Sequence, residues 1–138
     1  MTKSWELREI TYFNEDSGTL SVVEYGKTIE FDVKRVFFLN KLLSESIRGN
    51  HAHKELRQLI ICTSGSFDIE LDDGINKETI SLMDDGKCLF IDGMVWRVMR
   101  NFSEECVVTV LCDREYEFDL VISDYDEFSK MTSHMKNV

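Results

Sequence analysis

Short apolar runs recur along this chain, punctuated by Gly, Asp and Asn, and there is not one proline in 138 residues. Leu20–Val23, Val36–Leu39, Leu59–Cys62, Phe67–Leu71, Thr79–Leu82, Leu89–Ile91 and Val107–Leu111 each have the length of a strand, and β-branched and aromatic residues supply most of their bulk. Phe67 to Leu71 alternates strictly: Phe67, Ile69 and Leu71 fall on one face, Asp68 and Glu70 on the other. Asp72-Asp73-Gly74 then supplies a turn, and Thr79–Leu82 reads as the returning strand. Many short strands at near-regular spacing predict an all-β sandwich or barrel.

The C-terminus breaks this pattern. Asp124 followed three residues later by Glu127 makes a capping box, and Phe128, Met131 and Met135 continue at helical spacing. A short helix is expected there, its apolar stripe packed against the barrel or a neighbouring subunit. Asp124, Asp126 and Glu127 then stand where a helix dipole favours negative charge, so they need no catalytic explanation.

Size and charge bound the rest. At 16.1 kDa the chain is expected to be one domain, residues 1–138. Its 16 Lys and Arg against 26 Asp and Glu give a net charge of −10, a field that repels nucleic acid and anionic lipid. An anionic ligand must therefore be held by a few locally placed arginines. No apolar run is long enough to span a bilayer, and the first residues lack a signal-peptide core, so no membrane association and a cytoplasmic location are expected. Cys62, Cys88, Cys106 and Cys112 lie far apart beside apolar neighbours, which predicts buried free thiols rather than zinc ligands.

The segment Arg48-Gly49-Asn50-His51-Ala52-His53-Lys54-Glu55-Leu56-Arg57-Gln58 carries the chemistry. On an extended chain His51 and His53 share a face, because side chains alternate with period two. This resembles the first half of a cupin metal site, a His-x-His followed by Glu and then Gly. Here four residues separate His53 from Gln58 and six separate Gln58 from Gly65. The second cupin motif resembles the stretch in which Gly86 is followed by five residues and Asp92, and Arg97 by three residues and Asn101. Gln58 thus stands for the Glu and Arg97 for the third His. A guanidinium aimed into a metal site repels a divalent cation, and an amide does not offset its charge. The expectation is a cupin barrel (double-stranded β-helix, or jelly roll) with a short C-terminal helix, keeping the cavity and holding no metal.

Arg48-Gly49-x-His51-Ala52-His53-Lys54, followed by Gln58-x-x-Ile61-Cys62-x-x-Gly65-Ser66, resembles the cupin-type sugar nucleotide 3,4-ketoisomerases. So do Phe31-Asp32-Val33-Lys34-Arg35-Val36, Gly93-Met94-Val95-Trp96-Arg97, Asn101-Phe102-Ser103 and Asp124-Tyr125-Asp126-Glu127-Phe128. The resemblance runs in order from about residue 18 to residue 128. It implies an isomerase that moves the ketone of a dTDP-4-keto-6-deoxyhexose from C4 to C3, supplying 3-amino-3,6-dideoxyhexoses for cell-surface glycans such as lipopolysaccharide. It also implies a homodimer and no cofactor. The reaction needs a base near neutrality and donors for an enolate oxygen, which points to His51 as base and His53 as relay or stabiliser. Arg35, Arg48, Gln58, Trp96 and Arg97 are the expected substrate contacts.

The chain departs from the family's pattern in three places. Ser17 stands where an Arg precedes the N-terminal Gly, Phe37 where a Tyr is usual, and Leu120-Val121-Ile122-Ser123 where Asp-Tyr-Ile-Arg is usual. Two other readings stay open at this level: a sugar-nucleotide-binding module without turnover, and a metal-dependent cupin oxygenase built on His51 and His53.

Overall fold

The computed structural model describes residues 3–133. Twelve strands are found among them: β1 (Trp5–Glu9), β2 (Thr11–Glu15), β3 (Gly18–Val22), β4 (Arg35–Leu39), β5 (Arg48–His53), β6 (Arg57–Ser64), β7 (Ser66–Asp72), β8 (Lys77–Met83), β9 (Lys87–Asp92), β10 (Trp96–Arg100), β11 (Val107–Cys112) and β12 (Val121–Ile122). One helix, α1 (Tyr125–Ser133), follows. Every apolar run read from the sequence lies on a strand. Two antiparallel five-stranded sheets form the jelly roll, ordered β1-β9-β6-β11-β4 and β12-β5-β10-β7-β8.

Strand alternation distributes the apolar residues over three clusters. Ile60, Cys62, Ile69, Leu71, Leu89, Met99, Val108, Val110 and Cys112 fill the space between the sheets. Leu59, Cys88 and Phe90 point out of the first sheet, where Ile10, Ile29 and Phe31 cover them. Ala52, Trp96 and Val98 point out of the second sheet and are covered by Ile122 and by Phe128 of α1. Burying Phe128 contributes roughly 2 kcal/mol toward docking that helix. The four cysteines are free and buried, as their apolar neighbours predict.

The helix begins as the capping signal requires. Asp124 Oδ1 accepts the backbone N–H groups of Asp126 at 2.8 Å and Glu127 at 3.3 Å. Phe128 is buried and Met131 half-buried against the second sheet, whereas Met135 lies outside the described residues. The turn after β7 is built as read: Asp73 Oδ1 accepts the N–H groups of Ile75 and Asn76, and Gly74 takes φ +93°.

Two irregularities bear on function. Between β5 and β10 the register shifts: His51 faces Arg97, but Gly49 faces Val98 and Arg48 faces Met99. Asn50, at φ 54°, is the extra residue of this β-bulge. Hairpin β2–β3 pairs with neither barrel sheet, and Ser17 sits exposed at its turn.

Candidate active site

Cross-strand partners share a face, so the registers decide which predicted residues meet. Arg97 alternates with buried Val98 and lies on the Met99 side, facing the interior. His51 pairs with it and therefore points inward, and His53 follows at period two. Opposite, Gln58 and Arg35 both pair with Cys112, whose neighbours Val110 and Val108 belong to the interior cluster. The bulge brings Arg48 round to the inner face as well, where it stands exposed at the end of β5. His51, His53, Arg35, Gln58, Arg97 and Arg48 thus converge from both sheets.

Trp96 does not join them. It packs outside the second sheet, its ring 5.3 Å from Tyr125 and 5.7 Å from Phe128. The expected substrate contact at Trp96 is corrected: its role is to dock α1. Trp96 and Arg97 are consecutive on one strand and must face opposite ways, so the alternation already excluded having both in the cavity.

The histidine rings meet edge to face, with centroids 4.8 Å apart. His51 Nδ1 lies 2.9 Å from the Gly49 carbonyl oxygen, which can only accept. Nδ1 therefore carries the proton, and the neutral ring keeps its lone pair on Nε2. Burial lowers the pKa of His51, the Gly49 bond opposes this, and the Arg97 charge adds to the lowering. His53 is driven further, to about 3, by burial first and then by Arg97, His51 and Arg35. Both rings are neutral at pH 7.

Arg97 is 2% exposed, and burial lowers its pKa to about 10, which leaves it charged at pH 7. Its Nε and Nη2 donate to the Val95 carbonyl at 3.3 and 3.0 Å, and its Nη1 donates to Gln58 Oε1. Gln58 Nε2 in turn donates to Cys112 Sγ at 3.4 Å, and Arg35 Nη2 donates to the same sulfur at 3.5 Å. The Arg35 guanidinium is flanked by the rings of Phe37 at 5.5 Å and Tyr116 at 5.4 Å. Its buried Nε has no partner among the described residues. Two guanidinium groups thus share this interior with neutral partners, an arrangement that suits an anionic ligand or a developing oxyanion. It disfavours a metal cation for the same reason.

Tyr116 and Cys112 are members of this constellation that the sequence reading did not single out. Cys112 was findable, since it continues the inward series Val108, Val110. Tyr116 was not, because its loop (113–120) reaches Arg35 by a path no periodicity describes. That loop narrows the cleft beside Arg35 and His53 to about 10 Å³. The largest concavity, about 670 Å³, lies instead outside the first sheet, lined mainly by Ile10, Val23, Tyr25, Phe31, Val33 and Leu111. It contains no histidine, and an apolar lining of that kind suits packing rather than proton transfer.

Comparison with known proteins agrees with this geometry. The family model described as FdtA: WxcM-like, C-terminal, matches residues 3–133. The chain is 37% identical over 116 residues, 84% of either sequence, to the TDP-4-oxo-6-deoxy-α-D-glucose-3,4-oxoisomerase of Aneurinibacillus thermoaerophilus. It superposes with a TM-score of 0.92 and 32% identity, covering 97% of both chains, on a histidine-to-asparagine variant of the 3,4-ketoisomerase QdtA from Thermoanaerobacterium thermosaccharolyticum in complex with TDP-4-keto-6-deoxyglucose. A 3,4-ketoisomerase from Helicobacter canadensis superposes with a TM-score of 0.90 and 36% identity over 96% of this chain and 99% of that one.

Proposed function

This chain belongs to the FdtA (WxcM-like, C-terminal) family, and on that footing we propose that its barrel interior isomerises a TDP-4-keto-6-deoxyhexose with His51 as the base. The chain is a sugar nucleotide 3,4-ketoisomerase: the ketone moves from C4 to C3. The observation that carries the assignment of the base is the bond from His51 Nδ1 to the Gly49 carbonyl, which leaves Nε2 unprotonated toward the cavity.

The step balances without a cofactor. His51 Nε2 takes the proton from C3, and the electron pair moves through C3–C4 onto the C4 oxygen, giving an enediolate. A proton is returned to C4, and the C3 hydroxyl proton passes to the C4 oxygen as the C3 ketone forms. His53, whose pKa is near 3, is a poor transient acid and serves as a neutral hydrogen-bond donor to the oxyanion. Arg97 and Arg35 supply positive charge beside it. Arg48, at the open end of β5, is placed to meet the diphosphate, for which a guanidinium fork is suited. No step needs a metal.

The wider setting is part of the same reading. The product feeds an aminotransferase that makes a 3-amino-3,6-dideoxyhexose for a cell-surface glycan, in the cytoplasm, where nucleotide sugars are made. No helix among the described residues is long and apolar enough to cross a membrane. The working unit is a homodimer. Phe13 and Leu20 face each other across hairpin β2–β3 and are 53% and 57% exposed, and an isolated hairpin is marginal in water without a surface to pack on.

The test is to incubate TDP-4-keto-6-deoxyglucose with the protein in D₂O, follow the sugar ring by NMR, and trap the product with a 3-aminotransferase. Deuterium entering the ring and a trapped 3-amino sugar are expected. Binding without exchange would make the chain a binding module instead.

A further inference from the structure

Gln58 is 3% exposed, and each end of its amide is already bonded within the protein. Its oxygen accepts from Arg97 and its nitrogen donates to Cys112 Sγ at 3.4 Å. Cys112 is fully buried, and its sulfur also accepts from Arg35 at 3.5 Å. The series Arg35, Cys112, Gln58, Arg97 therefore runs from β4 through β11 and β6 to β10, spanning both sheets.

The order of donors and acceptors is what gives this series meaning. Arg97 has only N–H groups to offer, so Gln58 must present oxygen to it; that choice turns the amide N–H groups toward β11. An acceptor is then required on β11, and the side chain that pairs with Gln58 there is Cys112. Were that position purely apolar, a buried N–H would be left unpaired, and the amide would gain by rotating and setting its N–H groups against the guanidinium. The same sulfur supplies the side-chain acceptor of Arg35, whose Nε is already without a partner. We infer that Cys112 and Gln58 are positioning residues: Cys112 fixes the Gln58 amide so that its oxygen holds Arg97 opposite His51, and it anchors Arg35 beside His53. Gln58 then acts through Arg97 and does not itself bind substrate.

The inference rests on the ketoisomerase reading, so the experiment separates the two. Turnover of TDP-4-keto-6-deoxyglucose by the unmodified protein is measured first, and its absence would sink that reading by itself. Cys112→Ser keeps an acceptor, whereas Cys112→Val and Cys112→Ala remove it, Val at nearly constant volume. With folding verified by circular dichroism, Ser is expected to retain most of kcat, and the two apolar variants to lose about tenfold in kcat with KM changed less than about threefold. The acid limb of the kcat/KM profile, set by His51 beside Arg97, should move in Val and Ala and stay in place in Ser. A second readout is independent of turnover: the Gln58 side-chain amide protons, followed by ¹⁵N NMR, should be slow to exchange in the parent and in Ser and faster in the apolar variants. If Val and Ala equal or exceed Ser in kcat, or if the amide exchanges alike in all four proteins, Cys112 is a packing residue and the inference is overturned. Should Val or Ala fail to fold, Gln58→Met in the parent decides. A loss in kcat of the same size as that of the surviving apolar variant is expected, and a rise in KM alone would return Gln58 to the substrate contacts.

Discussion

His51 and His53 are chemically identical side chains two residues apart, yet their surroundings divide the work between them. The Gly49 carbonyl partly offsets the burial of His51, and no such bond supports His53. Replacing His51 with Asn removes the lone pair while keeping a hydrogen-bonding side chain, so kcat should fall by at least about 10²-fold with the thermal midpoint little changed. Near-native turnover by that variant would place the base elsewhere. His53 makes a prediction about stability. Its pKa is about 3 when folded and near 6.5 when unfolded, so between those values the unfolded chain holds the proton and the folded one does not. Stability is therefore undiminished above about pH 6.5 and lost as pH falls toward 3, at up to about 1.4 kcal/mol per pH unit. Urea midpoints of His53→Asn should depend less steeply on pH from 6 to 4 than those of the parent. Equal slopes would mean that His53 is not held neutral by the fold.

At the scale of the element, the bulge in β5 is the feature on which the site depends. Gly49 has φ +91°, and a Cβ added there would stand 2.8 Å from the Arg97 carbonyl oxygen, a backbone atom that cannot swing away. Gly49→Ala therefore faces both a left-handed backbone and a clash with β10. A loss of about 2 kcal/mol is expected, together with a drop in kcat, because the Gly49 carbonyl that sets the His51 tautomer must shift. Denaturant unfolding and turnover measured on the same preparation check this; a stability change within about 0.5 kcal/mol would show that the strand accommodates the methyl group. The bulge also decides Arg48. Without the extra residue Asn50, Arg48 would share a face with Ala52 and point out of the barrel. With it, Arg48 shares a face with Met99 and His51.

For the whole molecule, the clearest unfinished surface is hairpin β2–β3 with the apolar concavity behind it. If a second copy packs there, the protein should run at about twice 16.1 kDa in light scattering, and Phe13→Glu with Leu20→Glu should shift it toward monomer. An unmodified protein that is monomeric at micromolar concentration would remove the dimer from the proposal. At this scale the sequence and the tertiary structure divide cleanly. Alternation and turn residues were enough to read the strands of the jelly roll, the cap of α1, the shared face of His51 and His53, and the burial of the cysteines, because each is a local consequence of period two or of a local hydrogen bond. The same rule, applied strictly, would have turned Trp96 away from Arg97. Three things lay beyond it. The inward turn of Arg48 follows from a one-residue bulge whose place is set by the partner strand. The approach of Tyr116 to Arg35 is made by an aperiodic loop. The bonding of Arg35, Cys112, Gln58 and Arg97 depends on which strands become neighbours and in what register, and that is decided by long-range pairing between segments as far apart as residues 35 and 112.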